Sequence, residues 1–329
     1  MIPTTISDEL INKLKVCKRV YFHSNCPDGI ISRNLLHYLR SNGLNDFDGT
    51  VEYVSQNPGK PAEVVEGAVF VDLSPIPEQY EAFLKAGAVI LDHHNTVLPL
   101  VEQFKDEYPD QLLFGETDKV ESGAWLVYLC LDKWMQTTPF VSRNTSHFRI
   151  IAKMIAIGDC WDKSNPEAFE NARSLGKYIG LYGNDYTEIP GMEFISRSQE
   201  YGRLTRDNTA RTAKTHIMRQ YKGLNIAFFN TREGISDLAE VAREKFNADL
   251  VVSWYQQSVK NDGEVTSFSL RSNDNFDCGA FAKNFKGGGG HIHAAGFQIP
   301  GLLSGIDWFL ASLETKWTPC LYKANSWNS

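Results

Sequence analysis

Four segments of this 329-residue chain end in side chains suited to hard cations: VYFH at His23, VFVD at Asp72, VILDHH at Asp92, His93 and His94, and IIAKMIAIGD at Asp159. The first three read as strands and the last as a helix. In an open α/β sheet the carboxyl ends of the strands line one crevice, so residues distant in sequence can meet there. Carboxylates mixed with imidazoles suit Mn²⁺, with Mg²⁺ as the alternative, better than a thiolate set would.

The elements that must position these groups alternate. A strand over 19–23 is followed by Ile30, Ile31, Leu35, Leu36, Tyr38 and Leu39 at helical spacing, which Gly43 ends. Strands are expected again near 51–54, 68–72 and 88–91, with the helical PEQYEAFLKAG between the last two. This βαβ pattern predicts an α/β fold with a mostly parallel sheet in the N-terminal half. Ser122 reads as an N-cap opening the helix GAWLVYLCLDKW. From about 163 to 222 the chain turns polar, with a basic run from Arg203 to Lys222, read as connecting helices whose charges face solvent. A second alternation starts at LNIAFFN (224–230) and predicts a smaller α/β domain with a mixed sheet. The expected organisation is a catalytic domain over 1–190, a connection over 191–222 and a second domain over 223–329, with the active site in the cleft between domains.

Composition narrows the function classes. With 42% hydrophobic and 22% charged residues the chain is that of an ordinary globular protein, and it has no apolar run of membrane-spanning length. The N-terminus carries acids and no apolar core of a secretory signal, so a cytoplasmic setting is expected, with no membrane partner. Cysteines 17, 26, 130, 160, 278 and 320 form no CxxC pair, which argues for reduced thiols rather than disulfides or a zinc knuckle. A net charge of −7 argues against a broad non-specific nucleic-acid surface, so a polyanion substrate is expected to be gripped locally. Oligomeric state is not encoded in these features, and a homodimer stays open.

Near the C-terminus, Gly287 to Gly290 precede His291. Consecutive glycines let backbone approach a ligand, and their N–H groups can form an anion nest. A flexible turn explains the glycines equally well; Arg271 upstream and His291 tip the reading towards phosphate recognition, since guanidinium suits bidentate phosphate contacts. His293 would share a strand face with His291. Taken singly, His23 would be an ordinary buried histidine and Asp72 or Asp159 a helix cap; only the constellation reverses that. His37, His147 and His216 have no such context, and the aromatic tail Trp317, Tyr322 and Trp327 reads as packing or a frayed end.

HSNCPDG at 23–29, VDLS at 71–74, LDHH at 91–94, IGDCWD at 157–162 and GGGGHIHAAGF at 287–297 follow in the order of the DHH phosphoesterase family, which the chain resembles across both expected domains. The subgroup resembled has a DHH domain followed by a DHH-associated C-terminal domain, as in RecJ-type exonucleases, nanoRNases and cyclic-dinucleotide phosphodiesterases. The resemblance implies two Mn²⁺-like ions bridged by Asp72, with His23 and Asp28 serving one and His93 and Asp159 the other. Asp92 would orient an imidazole, and His94 would contact the phosphate or protonate the leaving group. Arg271, Gly288, Gly289, Gly290 and His291 would bind substrate.

The family's first motif usually pairs two aspartates one residue apart, whereas Cys26 and Ile30 flank Asp28 at that spacing. Asn25 or Cys26 could substitute, or one ion could arrive with substrate. The expected function is a metal-dependent phosphodiesterase, an exonuclease cutting short single-stranded oligonucleotides to nucleoside monophosphates. Two alternatives stand: a hydrolase of cyclic dinucleotides, phosphoadenosine phosphate or polyphosphate, and a non-catalytic nucleotide-binding protein.

Overall fold

Short runs of Val, Phe, Ile and Leu, each bounded by polar or glycine residues, become the parallel strands of the first unit in the computed structural model. The structure describes residues 6–43, 51–137, 146–259 and 263–316; the tail residues Trp317, Tyr322 and Trp327 and Cys320 lie outside them. The described residues fall into two units, divided between Arg203 and Leu204.

The first unit runs α1 (Asp8–Val16), β1 (Arg19–His23), α2 (Pro27–Gly43), β2 (Glu52–Gln56), β3 (Val69–Val71), α3 (Pro77–Lys85), β4 (Val89–Asp92), α4 (Leu98–Phe104), β5 (Leu112–Phe114), α5 (Gly123–Thr137), α6 (Ser146–Asp159), α7 (Pro166–Gly180) and α8 (Met192–Ala213), the last crossing the division. Five strands pair in the order β2-β1-β3-β4-β5. Every pair is parallel, with Val20 opposite Val69 and Val69 opposite Val89. Parallel strands need both faces covered. Val20, Phe22, Val69, Val71 and Leu91 accordingly pack under helices α1, α2, α5 and α6. Tyr21, Phe70 and Ile90, one residue out of phase, pack on Tyr80, Phe83 and Phe104 at the opposite face. In this strand order β2 and β3 diverge from β1, so the chain's direction of winding reverses between β1 and β3, and that is where a crevice opens at the strands' carboxyl ends. His23 ends one of these two strands and Asp72 follows the other.

The stretch expected to be mainly connection is more ordered than its polarity suggested. Asn165 caps α7 by accepting from the Ala168 amide, Pro166 takes the first helical position, and Phe169, Leu175 and Ile179 are buried. Arg203 and Arg206 on α8 are exposed. Residues Ile217–Tyr221 form a strand, β6. Its alternation is weak because it is an edge strand paired only with β7 (Leu224–Asn230), which leaves most of its side chains exposed.

In the second unit β6 and β7 are followed by α9 (Ile235–Phe246), β8 (Leu250–Val259), β9 (Gly263–Ser272), α10 (Cys278–Ala282), β10 (Gly289–His291), β11 (Ala294–Pro300) and α11 (Gly305–Lys316). Six strands pair in the order β10-β11-β9-β8-β7-β6, with β7 and β8 parallel and the others antiparallel. One sheet face buries Phe228, Phe268, Phe281, Phe297 and Phe309; the other packs α9 through Leu238, Ala239 and Ala242. The protein is thus an α/β fold with a parallel sheet in one unit and a mixed sheet in the other. No described helix is long and apolar enough to cross a membrane.

The glycine run divides by role. A Cβ at Gly288 would lie 2.2 Å from the Ala282 carbonyl oxygen, and one at Gly290, where φ is +142°, would lie 2.4 Å from that of Ala294. Around Gly289 nothing lies within 4 Å of a built Cβ. Gly288 and Gly290 are therefore required by packing, while Gly287 and Gly289 leave room for close approach. Replacing Gly288 with Ala should lower stability by about 1–3 kcal/mol through overpacking, whereas Gly289→Ala should leave the thermal midpoint near that of the native chain. Paired thermal melts check both, and equal melting of the two variants would contradict the division.

Candidate active site

Asp72 follows β3 in the left-handed region, at φ +53°. Asp tolerates that conformation better than most residues, and backbone held there is a frequent mark of function. Its amide donates to the Leu91 carbonyl, extending the ladder to β4, and its side chain is fully buried. Each carboxylate oxygen faces a different partner: Oδ2 lies 3.2 Å from His23 Nδ1, and Oδ1 lies 3.2 Å from His93 Nε2. Burial opposes ionisation of Asp72, but the hydrogen bonds from His23 and His93 outweigh it and hold the pKa well below the ordinary carboxylate range.

Two triplets of ligand-type atoms flank Asp72. One joins His23, Asp72 and His94; the other joins Asp28, His93 and Asp159; within each, all three atoms lie within 4.8 Å of one another. Asp28 therefore stands with His93 and Asp159 rather than with His23, and His94 stands beside His23 and Asp72. His93 Nε2 is 3.2 Å from Asp159 Oδ2 and 3.7 Å from Asp28 Oδ2. Burial would depress the pKa of His93, but Asp159 and Asp72 outweigh it and raise it far above the usual imidazole value. Burial, then the charges of Asp72 and Asp159, push Asp28 well above the carboxylate range. Such crowding of carboxylates is the electrostatic signature of a place for positive charge, and the oxygen and imidazole donors suit divalent ions of the Mg²⁺, Mn²⁺ or Zn²⁺ kind.

Asp28 is held as firmly as any residue here. Its Oδ1 accepts from Ser122 Oγ at 2.6 Å and the Ala124 amide at 2.9 Å, and its Oδ2 accepts from the Gly123 amide at 2.7 Å. The carboxylate that satisfies the first amides of α5 thus comes from α2, and Ser122, expected to do this with its own side chain, instead donates its hydroxyl to Asp28. The positive end of the α5 dipole adds to that hold. Sequence spacing gave no hint of this pairing, since the two positions are 94 residues apart.

Asp92 belongs to neither triplet but braces members of both. It accepts from Ser74 Oγ at 2.6 Å and from the His93 and His94 amides at 2.7 and 3.1 Å, and its Oδ1 lies 2.7 Å from His94 Nδ1. It therefore fixes the orientation of the His94 ring, whose side chain remains 37% exposed. The loop after His23 is clamped by a residue that sequence reasoning passed over: Asn184 accepts from the Asn25 amide at 2.7 Å and donates to Ser24 Oγ at 3.1 Å. Arg33 in turn donates to the Asn184 carbonyl. Cys26, one of the two residues at the family's aspartate spacing from Asp28, puts Sγ 3.9 Å from Asp159 Oδ1. Burial and the charges of Asp72, Asp28 and Asp159 raise its pKa, so the thiol stays protonated beside the carboxylates.

Arg271, Gly288, Gly289, Gly290 and His291 belong to the second unit. The register places His291 opposite Ala294 and Ala294 opposite Arg271, so these positions form one row across β10, β11 and β9. Arg271 Nε donates to Ser236 Oγ at 3.3 Å, and burial lowers its pKa. The Gly288 amide is already committed to the Phe285 carbonyl.

Acid and imidazole groups thus gather at the carboxyl ends of the parallel sheet, an arrangement suited to holding divalent cations. Residues 222–316 match the family model described as the DHHA1 domain. No curated protein matches the chain. Among solved structures, a DHH domain from a member of a ribosomal-protein family aligns with TM-score 0.53 at 12% identity, over 94% of this chain and 88% of that one. A pGpG-specific phosphodiesterase, PggH from Vibrio cholerae, aligns with TM-score 0.47 at 12% identity, over 91% and 99%. An exopolyphosphatase-related protein from Bacteroides fragilis aligns with TM-score 0.42 at 15% identity, over 95% and 98%. Residues 222–316 therefore form a DHHA1 domain, and the chain as a whole shares the fold of that DHH-domain structure.

Proposed function

We propose that this protein is a metal-dependent phosphodiesterase that hydrolyses short single-stranded oligonucleotides from an end, releasing nucleoside monophosphates. The observation that carries the reading is Asp72, whose two oxygens face two separate ligand-type triplets. In this reading His23 and Asp72 would hold one divalent cation, with His94 beside them on the substrate side, and Asp28, His93 and Asp159 would hold the other, with Mn²⁺ the preferred ion and Mg²⁺ the substitute. Such a pair, when bound, supplies charge stabilisation and nucleophile activation at phosphorus. The protein's own groups do the rest. Asp92 holds the His94 ring through Nδ1, so that a partly exposed imidazole is presented to the phosphate and the leaving oxygen. Asp28 is locked by three donors and cannot swing out when substrate arrives.

Short substrates follow from electrostatics. With 33 basic against 40 acidic residues the chain has no surplus of positive charge to track a long polyanion, so binding must rest on a few contacts. We assign that role to the row containing Arg271 and His291 and to Gly288, Gly289 and Gly290, with Gly289 the position open to close backbone approach. End-labelled RNA and DNA pentamers incubated with Mn²⁺, Mg²⁺ or chelator would test the reading. Mononucleotides should appear before intermediate lengths vanish, and chelator should stop the reaction. Dominant internal fragments would overturn the terminal mode, and hydrolysis confined to polyphosphate or cyclic dinucleotides would reassign the substrate.

A further inference from the structure

Helix α6 ends at Asp159, and the turn that follows it has a bond pattern that normally takes glycine. The Asp162 amide donates to the Ile157 carbonyl at 3.0 Å and the Cys160 amide to that of Ala156 at 2.9 Å. This places Trp161 at the left-handed position just past the helix, with φ +57°. Glycine dominates that position because a Cβ there is strained. Here it carries the bulkiest side chain in the repertoire, and its ring is not spent on the core, since Trp161 remains 52% exposed. A strained, exposed indole two residues from Asp159 calls for a reason other than folding.

The surroundings brace the ring. Phe169 meets it edge-on at 5.0 Å between centroids. The Arg173 guanidinium carbon lies 5.0 Å from the ring centroid and Lys163 Nζ 5.4 Å. Arg173 also lines a hollow with Pro27, Asp28, Gly158, Asp159 and Gly176, so the indole is joined through one side chain to a recess floored by two members of the second triplet. Flat aromatic surface next to cationic groups and a phosphate-handling site is the combination that takes a nucleobase by stacking while its phosphate is held alongside.

We propose that Trp161 is the base-stacking residue of the phosphoesterase site, held in place by Phe169, Arg173 and Lys163, and that it makes the enzyme prefer nucleotides over base-free phosphoesters. This rests on the hydrolytic reading above and narrows its substrate class: the group recognised next to the second triplet is a nucleobase, with little preference for which one, because every base offers a π face.

The test uses the full chain and two variants, Trp161→Gly and Trp161→Phe. Glycine suits the left-handed turn, so the first variant should fold with a thermal midpoint near that of the native protein. Its KM for a dinucleotide should rise by roughly tenfold or more, its KM for the abasic counterpart should stay unchanged, and Trp161→Phe should retain most of the preference. Equal effects of Trp161→Gly on both substrates, or none on either, would overturn the proposal. Equilibrium binding of AMP against ribose 5-phosphate separates this from failure of the hydrolytic reading. A native protein that hydrolyses neither substrate, yet binds AMP more tightly and loses that margin in Trp161→Gly, would sink the catalytic reading and keep the stacking role. Equal binding of the two ligands by the native chain would sink the stacking role itself.

Discussion

Asp72→Asn should lose turnover by on the order of a thousandfold, the scale seen when one preorganised electrostatic group is removed from an active site, while the protein keeps its fold. Asn matches Asp in size and accepts the left-handed backbone at φ +53° almost as readily, so the substitution removes charge without adding strain. The loss should be far larger than for a carboxylate serving one cation, because this side chain faces both triplets at once. Comparison with Asp159→Asn makes the point measurable: Asp72 sits in one triplet and also lies 3.2 Å from His93 of the other, whereas Asp159 is grouped with the second alone, and its variant should retain more activity and more bound cation than Asp72→Asn. Steady-state rates at saturating Mn²⁺, read beside thermal melts, check both statements. Equal residual activity in the two variants would remove the special place given to Asp72.

Gly123→Ala should be nearly as damaging, for a reason of packing. A Cβ at this position would sit 2.6 Å from the Asp72 Cβ and 2.8 Å from Asp28 Oδ2. Alanine favours a helix over glycine by up to about 1 kcal/mol, whereas forcing an atom into filled space costs about 1–3 kcal/mol. The clash therefore wins, and the added methyl presses on two candidate ligand carboxylates. Expected are a lower thermal midpoint, weaker Mn²⁺ uptake and a loss of activity that extra Mn²⁺ partly restores. A variant as stable and active as the native chain would show that α5 need not approach the site so closely.

The strands were legible because a parallel sheet buried on both faces requires uninterrupted apolar runs, and VFV and VILD have them. Their ends were legible for the same reason: a carboxylate or imidazole directly after such a run can only emerge at the crevice. What could not be read was long-range partnership. Nothing in the sequence links Asp28 to the amides of α5, Asn184 to the loop after His23, or Ser74 to Asp92, since each depends on how elements far apart in the chain pack. The grouping of candidate ligands was equally hidden: periodicity places side chains at strand ends but does not say which of them stand together, so Asp28 lies with His93 and Asp159 rather than with His23, and His94, expected on the substrate side, lies beside His23 and Asp72. The strand at Ile217–Tyr221 escaped notice because an edge strand with one partner has no apolar face to reveal it.

Calorimetric titration of the metal-stripped native chain with Mn²⁺ tests the central claim most directly. Two binding events per chain are predicted, with Asp72→Asn weakening both and Asp159→Asn weakening chiefly one. Absence of Mn²⁺ uptake by the native chain, or uptake indifferent to Asp72, would contradict the account.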